Sequence, residues 1–257
     1  MNIIGIIPAR LASSRLPNKP MADILGMPMI GHVYHRSKRS DSMKEVYVAT
    51  CDDEIYQYIE SIGGKAVMTS NSHERASDRT AEALQKIEHK TGEKVDIVVM
   101  IQGDEPMVTP GMISAAIQPL LDDPLISITN LMERIETQEE HEDPAEVKVV
   151  VDNDSFALYF SREPIPSRKK GVDNVPMLKQ VCIIPFRRDF LLEYNAMEQT
   201  PLEIIESVDM NRLLENGIKI KMVMRDEITL AVDTQEDLNR VNRLMQGDTL
   251  LDKYHKC

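Results

Sequence analysis

Ile3-Ile4-Gly5-Ile6-Ile7-Pro8-Ala9-Arg10-Leu11-Ala12-Ser13-Ser14-Arg15-Leu16-Pro17-Asn18-Lys19-Pro20 is the stretch on which the fold turns. Ile3 to Ile7 is apolar on successive residues, the pattern of a strand covered on both faces by helices. The loop from Pro8 to Pro20 then carries Arg10, Arg15, Lys19 and the hydroxyls of Ser13 and Ser14. In open parallel sheets, ligands sit beyond the carboxyl ends of the strands. Guanidinium groups grip phosphate oxygens in pairs and a lysine adds a point charge, so this loop suits a polyphosphate. It is neither a Walker loop nor a Gly-x-Gly-x-x-Gly turn. The plainer alternative is a charged surface loop.

Outward from this stretch, Val46–Ala49, Val95–Ile101, Leu125–Thr129, Val147–Val151 and Ile218–Met224 read as further strands. Between or after them, Pro28–Ser40, Asp53–Ile62, Ser77–His89, Pro110–Leu121 and Gln235–Met245 read as helices. Alternation of this kind predicts an α/β fold with an open, mostly parallel sheet and crossover helices. Residues 160–180, rich in Pro, Lys and Ser, read as an exposed excursion. The whole chain, 1–257, reads as one domain.

Composition narrows the class. Lys and Arg total 30 against 42 Asp and Glu, a formal charge of -12, which argues against a nucleic-acid binder. Residues 1–40 nonetheless hold six basic side chains and one acid, Asp23, a local balance suited to a compact anion. Arg36, Lys38 and Arg39 read as a solvated stripe. No apolar run approaches the roughly 20 residues of a bilayer span, and the N-terminus lacks signal-peptide features. Cys51, Cys182 and Cys257 form no CxxC pair, which fits a reducing cytoplasm.

Two aspartates stand out. Asp104, in Gln102-Gly103-Asp104-Glu105-Pro106, follows the most apolar strand, and Asp233, in Ala231-Val232-Asp233-Thr234, also reads as following a strand. Magnesium takes one or two carboxylates plus substrate phosphates. A turn or a helix N-cap is the competing role, and Asp233 precedes a helix. Their distance in sequence does not decide between these. His73 and Glu74 read as an exposed loop. Met100, Met222 and Met224 read as core, Lys148 as reaching a site or lying along an edge, and Arg162 as an anion ligand or a structural ion pair.

The stretch Ile7-Pro8-Ala9-Arg10-x-x-Ser13-Ser14-Arg15-Leu16-Pro17-x-Lys19-Pro20 resembles the N-terminal signature of the Kdo cytidylyltransferases. Gly26-x-Pro28-Met29-Ile30-x-His32-Val33-Tyr34, Val48-Ala49-Thr50-x-Asp52, Val67-Met68-Thr69-Ser70, Gln102-Gly103-Asp104-Glu105-Pro106, Val147-Lys148-Val149-Val150, Tyr159-Phe160-Ser161-Arg162-x-Pro164-Ile165-Pro166, Pro201-Leu202-Glu203 and Val232-Asp233-Thr234 follow in family order. The resemblance implies a Rossmann-like nucleotidyltransferase fold with a small dimerisation subdomain, here at 145–190, and a homodimer. It implies transfer of CMP from CTP to a 3-deoxy-2-keto sugar acid in lipopolysaccharide biosynthesis, with Mg²⁺ held by Asp104 and Asp233. Arg10, Arg15 and Lys19 would hold the triphosphate. Pro8, Ala9, Ser14, Ser77 and Arg79 complete the implied nucleotide set, and Gln102 would meet the sugar.

The sequence departs from the family in places. Arg75-Ala76-Ser77-Asp78-Arg79 stands where the family has Ser-Gly-Thr-Asp-Arg. Gln180, Ile184, Asp209 and Met210 replace His, Tyr, Glu and Gln at positions implicated in sugar contact, and Ile184 and Met210 lose hydrogen-bonding capacity. A Kdo relative with a changed distal end, such as an amino-sugar or less hydroxylated variant, is the expectation this raises; compensated drift is the alternative. A sialic-acid-type or sugar-phosphate nucleotidyltransferase, a metal-dependent glycosyltransferase and a non-catalytic nucleotide sensor are the competing classes.

Overall fold

Parallel strands Ile97–Ile101, Ile3–Ala9, Glu45–Thr50 and Ala66–Met68 lie side by side in that order in the computed structural model. The structure describes residues 1–13, 15–169, 171–172, 174–227 and 229–255. These strands belong to the first of two units, Met1–Ser114 with Ile228–Cys257; the second is Ala115–Glu227. Ile6, Ile7, Val48, Val98 and Val99 are wholly buried, as the uninterrupted apolar runs predict. Each such side chain contributes about 1.5–3 kcal/mol through removal from water. The first strand extends two residues past Ile7, because Pro8 and Ala9 stay in register with Ala49 and Thr50.

Helices Met29–Ser37, Asp53–Ser61 and Ala76–Thr91 flank the strands in sequence, and Gln235–Met245 has the predicted bounds. The C-terminal residues are built into the same unit. Leu230, Val232, Leu238, Val241, Met245 and Leu251 cluster with Leu16, Ile24 and Met29. Arg36 is not part of a solvated stripe. It is 2% exposed, donating to the carbonyls of Val108 and Met107 at 2.6 and 3.1 Å and pairing with Asp248. A buried guanidinium needs acceptors for its several donors, and the turn carbonyls supply them.

The second unit holds a mixed sheet in the order Lys221–Met224, Thr129–Arg134, Leu178–Val181, Lys148–Val151 and Ala157–Ser161. Its pairings are antiparallel except that between Lys221–Met224 and Thr129–Arg134. The expected strand Leu125–Thr129 is displaced. Asp123 accepts the Leu125 N–H at 2.8 Å and closes a turn, Leu125 is 87% exposed, and the strand begins at Thr129. The excursion expected at 160–180 is narrower, because its two ends belong to the strands Ala157–Ser161 and Leu178–Val181. Lys148 does not lie along an edge: its strand is internal to the sheet, and its ammonium donates to the carbonyls of Asp143, Glu146 and Arg162 at 2.7, 2.7 and 2.5 Å. Arg162 likewise binds carbonyls, of Glu206 at 2.8 Å and Pro144 at 2.8 Å. Met100 and Met222 are core; Met224 is half-buried. Among the described residues, no helix is long and apolar enough to cross a membrane.

Two buried polar groups generate stability predictions. Arg212 meets Glu203 through two bonds, 2.7 and 2.6 Å, beside the Tyr194 ring. Removing one partner of a buried pair costs about 3–5 kcal/mol, so Glu203→Ala should lower the urea midpoint sharply, and Glu203→Leu with Arg212→Met should lower it less. His32, between Tyr254 Oη and the Ile24 carbonyl at 2.8 Å each, has its pKa lowered by burial to about 4. The unfolded chain binds that proton near pH 6.5 and the folded one near 4. Stability from neutral His32 is therefore complete above pH 6.5 and falls as pH drops towards 4, by about 3 kcal/mol. Denaturant titrations should show that loss in the parent protein and a shallower one in His32→Gln.

Candidate active site

Asn18 takes the left-handed backbone conformation, φ 55°, that asparagine tolerates better than most residues. The chain then enters the short 3₁₀ turn Lys19–Met21. There Lys19 Nζ donates to Asp104 Oδ2 at 2.7 Å and to Asp233 Oδ1 at 2.9 Å. Arg15 Nη2 reaches the other oxygen of Asp233 at 2.9 Å. Burial pulls the Lys19 pKa down, but Asp104 and Asp233 outweigh it and hold the group above its usual value. The lysine is a fixed cation.

Each aspartate arrives by a different route. Asp104 lies in the turn after strand Ile97–Ile101, where Gly103 allows close approach. A Cβ on Gly103 would sit 3.1 Å from the Pro8 carbonyl oxygen and 3.2 Å from Ile30 Cδ1. Asp233 follows no strand, contrary to the sequence expectation. Its segment has no strand assignment; Val232 N–H donates to the Asp104 carbonyl at 2.9 Å and Thr229 Oγ1 to Glu105 Oε2 at 2.9 Å. The apolar cluster beneath Leu230 and Val232 fixes that approach. Helix capping falls to Thr234, whose hydroxyl accepts from Asp237 N–H while Asp237 accepts from Thr234 N–H. The Asp233 carboxylate is thus left to the two cations.

The rest of the predicted nucleotide set lies around the same strand ends. Pro8 and Ala9 close the first strand, and Arg10 is exposed just beyond. Ser14 lies outside the described residues. Gln102 is half-buried in the turn before Asp104. Ser77 and Arg79 are buried in the first turn of helix Ala76–Thr91. Arg79 Nη1 donates to Thr69 Oγ1 and to the Ser70 carbonyl. Its Nη2 is buried with no hydrogen-bond partner among the described residues. An unmatched buried guanidinium nitrogen costs about 1–3 kcal/mol or more, which marks it as a donor awaiting an acceptor. Of the expected exposed loop, Glu74 is exposed, whereas His73 is half-buried and paired with Glu82.

Sequence reasoning gave Asp52 no role, although it lies in a quoted motif. Its Oδ2 accepts the Leu11 N–H at 2.8 Å and tethers the loop one residue after Arg10. An acid two residues past a strand end was the available signal. The sugar-contact candidates Gln180, Ile184, Asp209 and Met210 lie in the second unit. Gln180 Nε2 donates to Asn130 Oδ1 at 2.6 Å. Ile184 and Met210 are fully buried, and the Asp209 carbonyl accepts from Tyr194 Oη at 3.0 Å.

Two carboxylates converging on one cation, both open enough to exchange it, form a donor set that fits a hard divalent ion sharing its remaining positions with phosphates and water. No group of three or more metal-ligating side chains occurs among the described residues. Such an ion would therefore draw most ligands from substrate. Arg15 is 53% exposed, and an exposed pair is worth at most about 1 kcal/mol. It can leave Asp233 for a phosphate at little cost.

Residues 4–220 match the cytidylyltransferase family. A 3-deoxy-manno-octulosonate cytidylyltransferase of Trichlorobacter lovleyi is 42% identical over 258 residues, covering 96% of this chain and 100% of that protein. The enzyme of the same description from Geobacter sulfurreducens is 43% identical over 251 residues, covering 94% and 98%. The solved structure of a CMP:2-keto-3-deoxy-manno-octonic acid synthetase complexed with CTP gives a TM-score of 0.86 at 40% identity, covering 96% of this chain and 99% of that one.

Replacing Lys19 by Met leaves Asp104 and Asp233 facing one another with only Arg15 to compensate. The pair is intermediate between exposed and buried, so the loss should be about 2 kcal/mol. Millimolar Mg²⁺ should then raise the melting temperature of Lys19→Met by more than it raises that of the parent. Equal shifts would show that the carboxylates do not accept a divalent ion in place of the ammonium.

Proposed function

We propose that this chain, which belongs to the cytidylyltransferase family, transfers CMP from CTP to the anomeric hydroxyl of 3-deoxy-manno-octulosonic acid or a close relative. The hydroxyl oxygen bonds to the α-phosphorus, the bond to the β-phosphate breaks, pyrophosphate departs and the hydroxyl proton passes to solvent. The observation that carries this reading is the Lys19 ammonium fixed between Asp104 and Asp233 beyond the strand ends. Transfers of this type need alignment and charge neutralisation more than a protein nucleophile. Lys19, Arg15 and Arg10 are suited to bind the triphosphate and stabilise the charge gathering on pyrophosphate. Arg79, with its unmatched Nη2, is suited to a nucleotide oxygen.

Magnesium is the divalent ion this reading assigns to Asp104 and Asp233. When bound, it would neutralise phosphate charge and make the attacking hydroxyl more acidic. The reading places the reaction in the cytoplasm, in the lipopolysaccharide pathway, where three cysteines with no CxxC spacing stay reduced. A homodimer through the second unit is supported by Leu158, Ile204 and Ile205, apolar side chains 59–74% exposed. Isolated apolar residues on a surface are ordinary; several on one small unit are what an interface requires.

The acceptor is the open half of the reading. Hydrogen-bonding capacity is absent from the Ile184 and Met210 side chains, and a site with fewer donors discriminates less against missing hydroxyls. The decisive assay is pyrophosphate release from CTP and Mg²⁺ with a panel of 3-deoxy-ulosonic acids. Release should require a sugar acid, and Asp104→Asn should lower kcat on the order of 10²-fold or more. A glycosyltransferase would release no pyrophosphate. Fastest turnover with the parent octulosonic acid would discard the altered-acceptor half and leave the transfer itself standing.

A further inference from the structure

On the outer side of the edge strand Ala66–Met68 lies a cavity of about 500 Å³, within the first unit and separate from the Lys19 cluster. That volume is in the range of small-molecule sites, roughly 300–1,000 Å³. Tyr47, Tyr56, Val67 and Ile87 are among its lining, and its rim carries Lys65, Lys86 and Lys90 with Glu60, while Lys65 pairs with Glu45 just outside it. Lys65 and Lys86 are each paired with a glutamate but are 52% and 50% exposed; such pairs are worth about 1 kcal/mol or less, so both ammoniums can turn, with Lys90, to an anion in the hollow. Lys65 lies 5.6 Å from the centre of the Tyr47 ring, joining charge to aromatic surface.

The exposed strand edge is a poor template for an added peptide strand. Glu60 accepts the outward Ala66 N–H at 3.4 Å, and Lys86 donates to the Met68 carbonyl at 2.8 Å. Side chains that occupy edge groups discourage strand pairing, which favours a compact ligand. Lys86 also pairs with Glu82 at 2.7 Å, and Glu82 accepts the Ser70 N–H at 2.9 Å. Ser70 in turn presents its carbonyl to Arg79 at 3.3 Å. One short chain of polar contacts runs from the cavity rim to Arg79.

We propose that this cavity is a second ligand site, for a small organic anion with an aromatic body, and that its occupancy alters nucleotide binding through Lys86, Glu82 and Ser70. The coupling rests on the nucleotide role proposed for Arg79; the binding does not. Titration of the full-length protein with 8-anilinonaphthalene-1-sulfonate, read by fluorescence without nucleotide, tests the binding. One saturable site is expected, weakened at least tenfold in Lys65→Glu/Lys90→Glu and abolished in Val67→Trp, with thermal melts confirming folded variants. Unchanged affinity in the charge-reversal variant, or no saturable binding in the parent, would overturn the site. CTP affinity measured by calorimetry should change at least threefold when the probe saturates the cavity, and the probe's affinity should change by the same factor on adding CTP. In Lys86→Met that reciprocal change should vanish. CTP affinity unaffected by a bound probe would overturn the coupling. A parent that binds the probe but not CTP would instead count against the nucleotide reading.

Discussion

The ammonium of Lys19 is where three segments distant in sequence are fixed to one another. A loop after the first strand carries it, and a turn after the strand Ile97–Ile101 and the segment before helix Gln235–Met245 each bring one carboxylate to it. Two carboxylates so close would repel and resist desolvation; a cation between them turns the repulsion into a constraint. The same constraint defines what the cluster can do. It is balanced while it is alone, and an arriving polyphosphate with its counterions can redistribute its charges without a large rearrangement.

Around that point several groups are already held in place. Asp52 tethers Leu11, Asn18 turns the chain before Lys19, and Thr69 and Ser70 hold one side of Arg79. Donors that are already ordered need not be ordered by the ligand, which is where preorganised sites gain. The unmatched Nη2 of Arg79 is consistent with this: its cost in the free protein is recovered when an acceptor arrives. Arg15 is the opposite case, exposed and easily redirected.

The second unit follows other rules. Its mostly antiparallel sheet is tied by buried ionic groups, with Lys148 on three carbonyls and Lys179 paired with Glu133, Glu140 and Glu146 at 3.0, 2.7 and 3.2 Å. For Lys179, burial lowers the pKa, but the three glutamates more than offset it and it stays charged. Groups of this kind tolerate few alternatives, because each lost partner leaves a desolvated charge. Ile184 and Met210 are buried in the same unit.

The sequence by itself determined the parallel half of the fold. Runs such as Ile3–Ile7 and Ile97–Ile101 are apolar throughout, the pattern of a strand covered on both faces. It also marked the loop of Arg10, Arg15 and Lys19 and the family-order motifs, because local chemistry and spacing are written in neighbouring residues. The antiparallel strands Ala157–Ser161 and Leu178–Val181 were not legible, since their pairing depends on partners far along the chain rather than on a local period. Asp233 shows the same limit: in sequence it was equally a helix cap. Tertiary structure decided the matter, by giving the cap to Thr234 and anchoring Val232 on Asp104. Which distant carboxylates share a cation is a question of three-dimensional distance, and that distance is set by the packing of Leu230 and Val232 against Leu16 and Ile24.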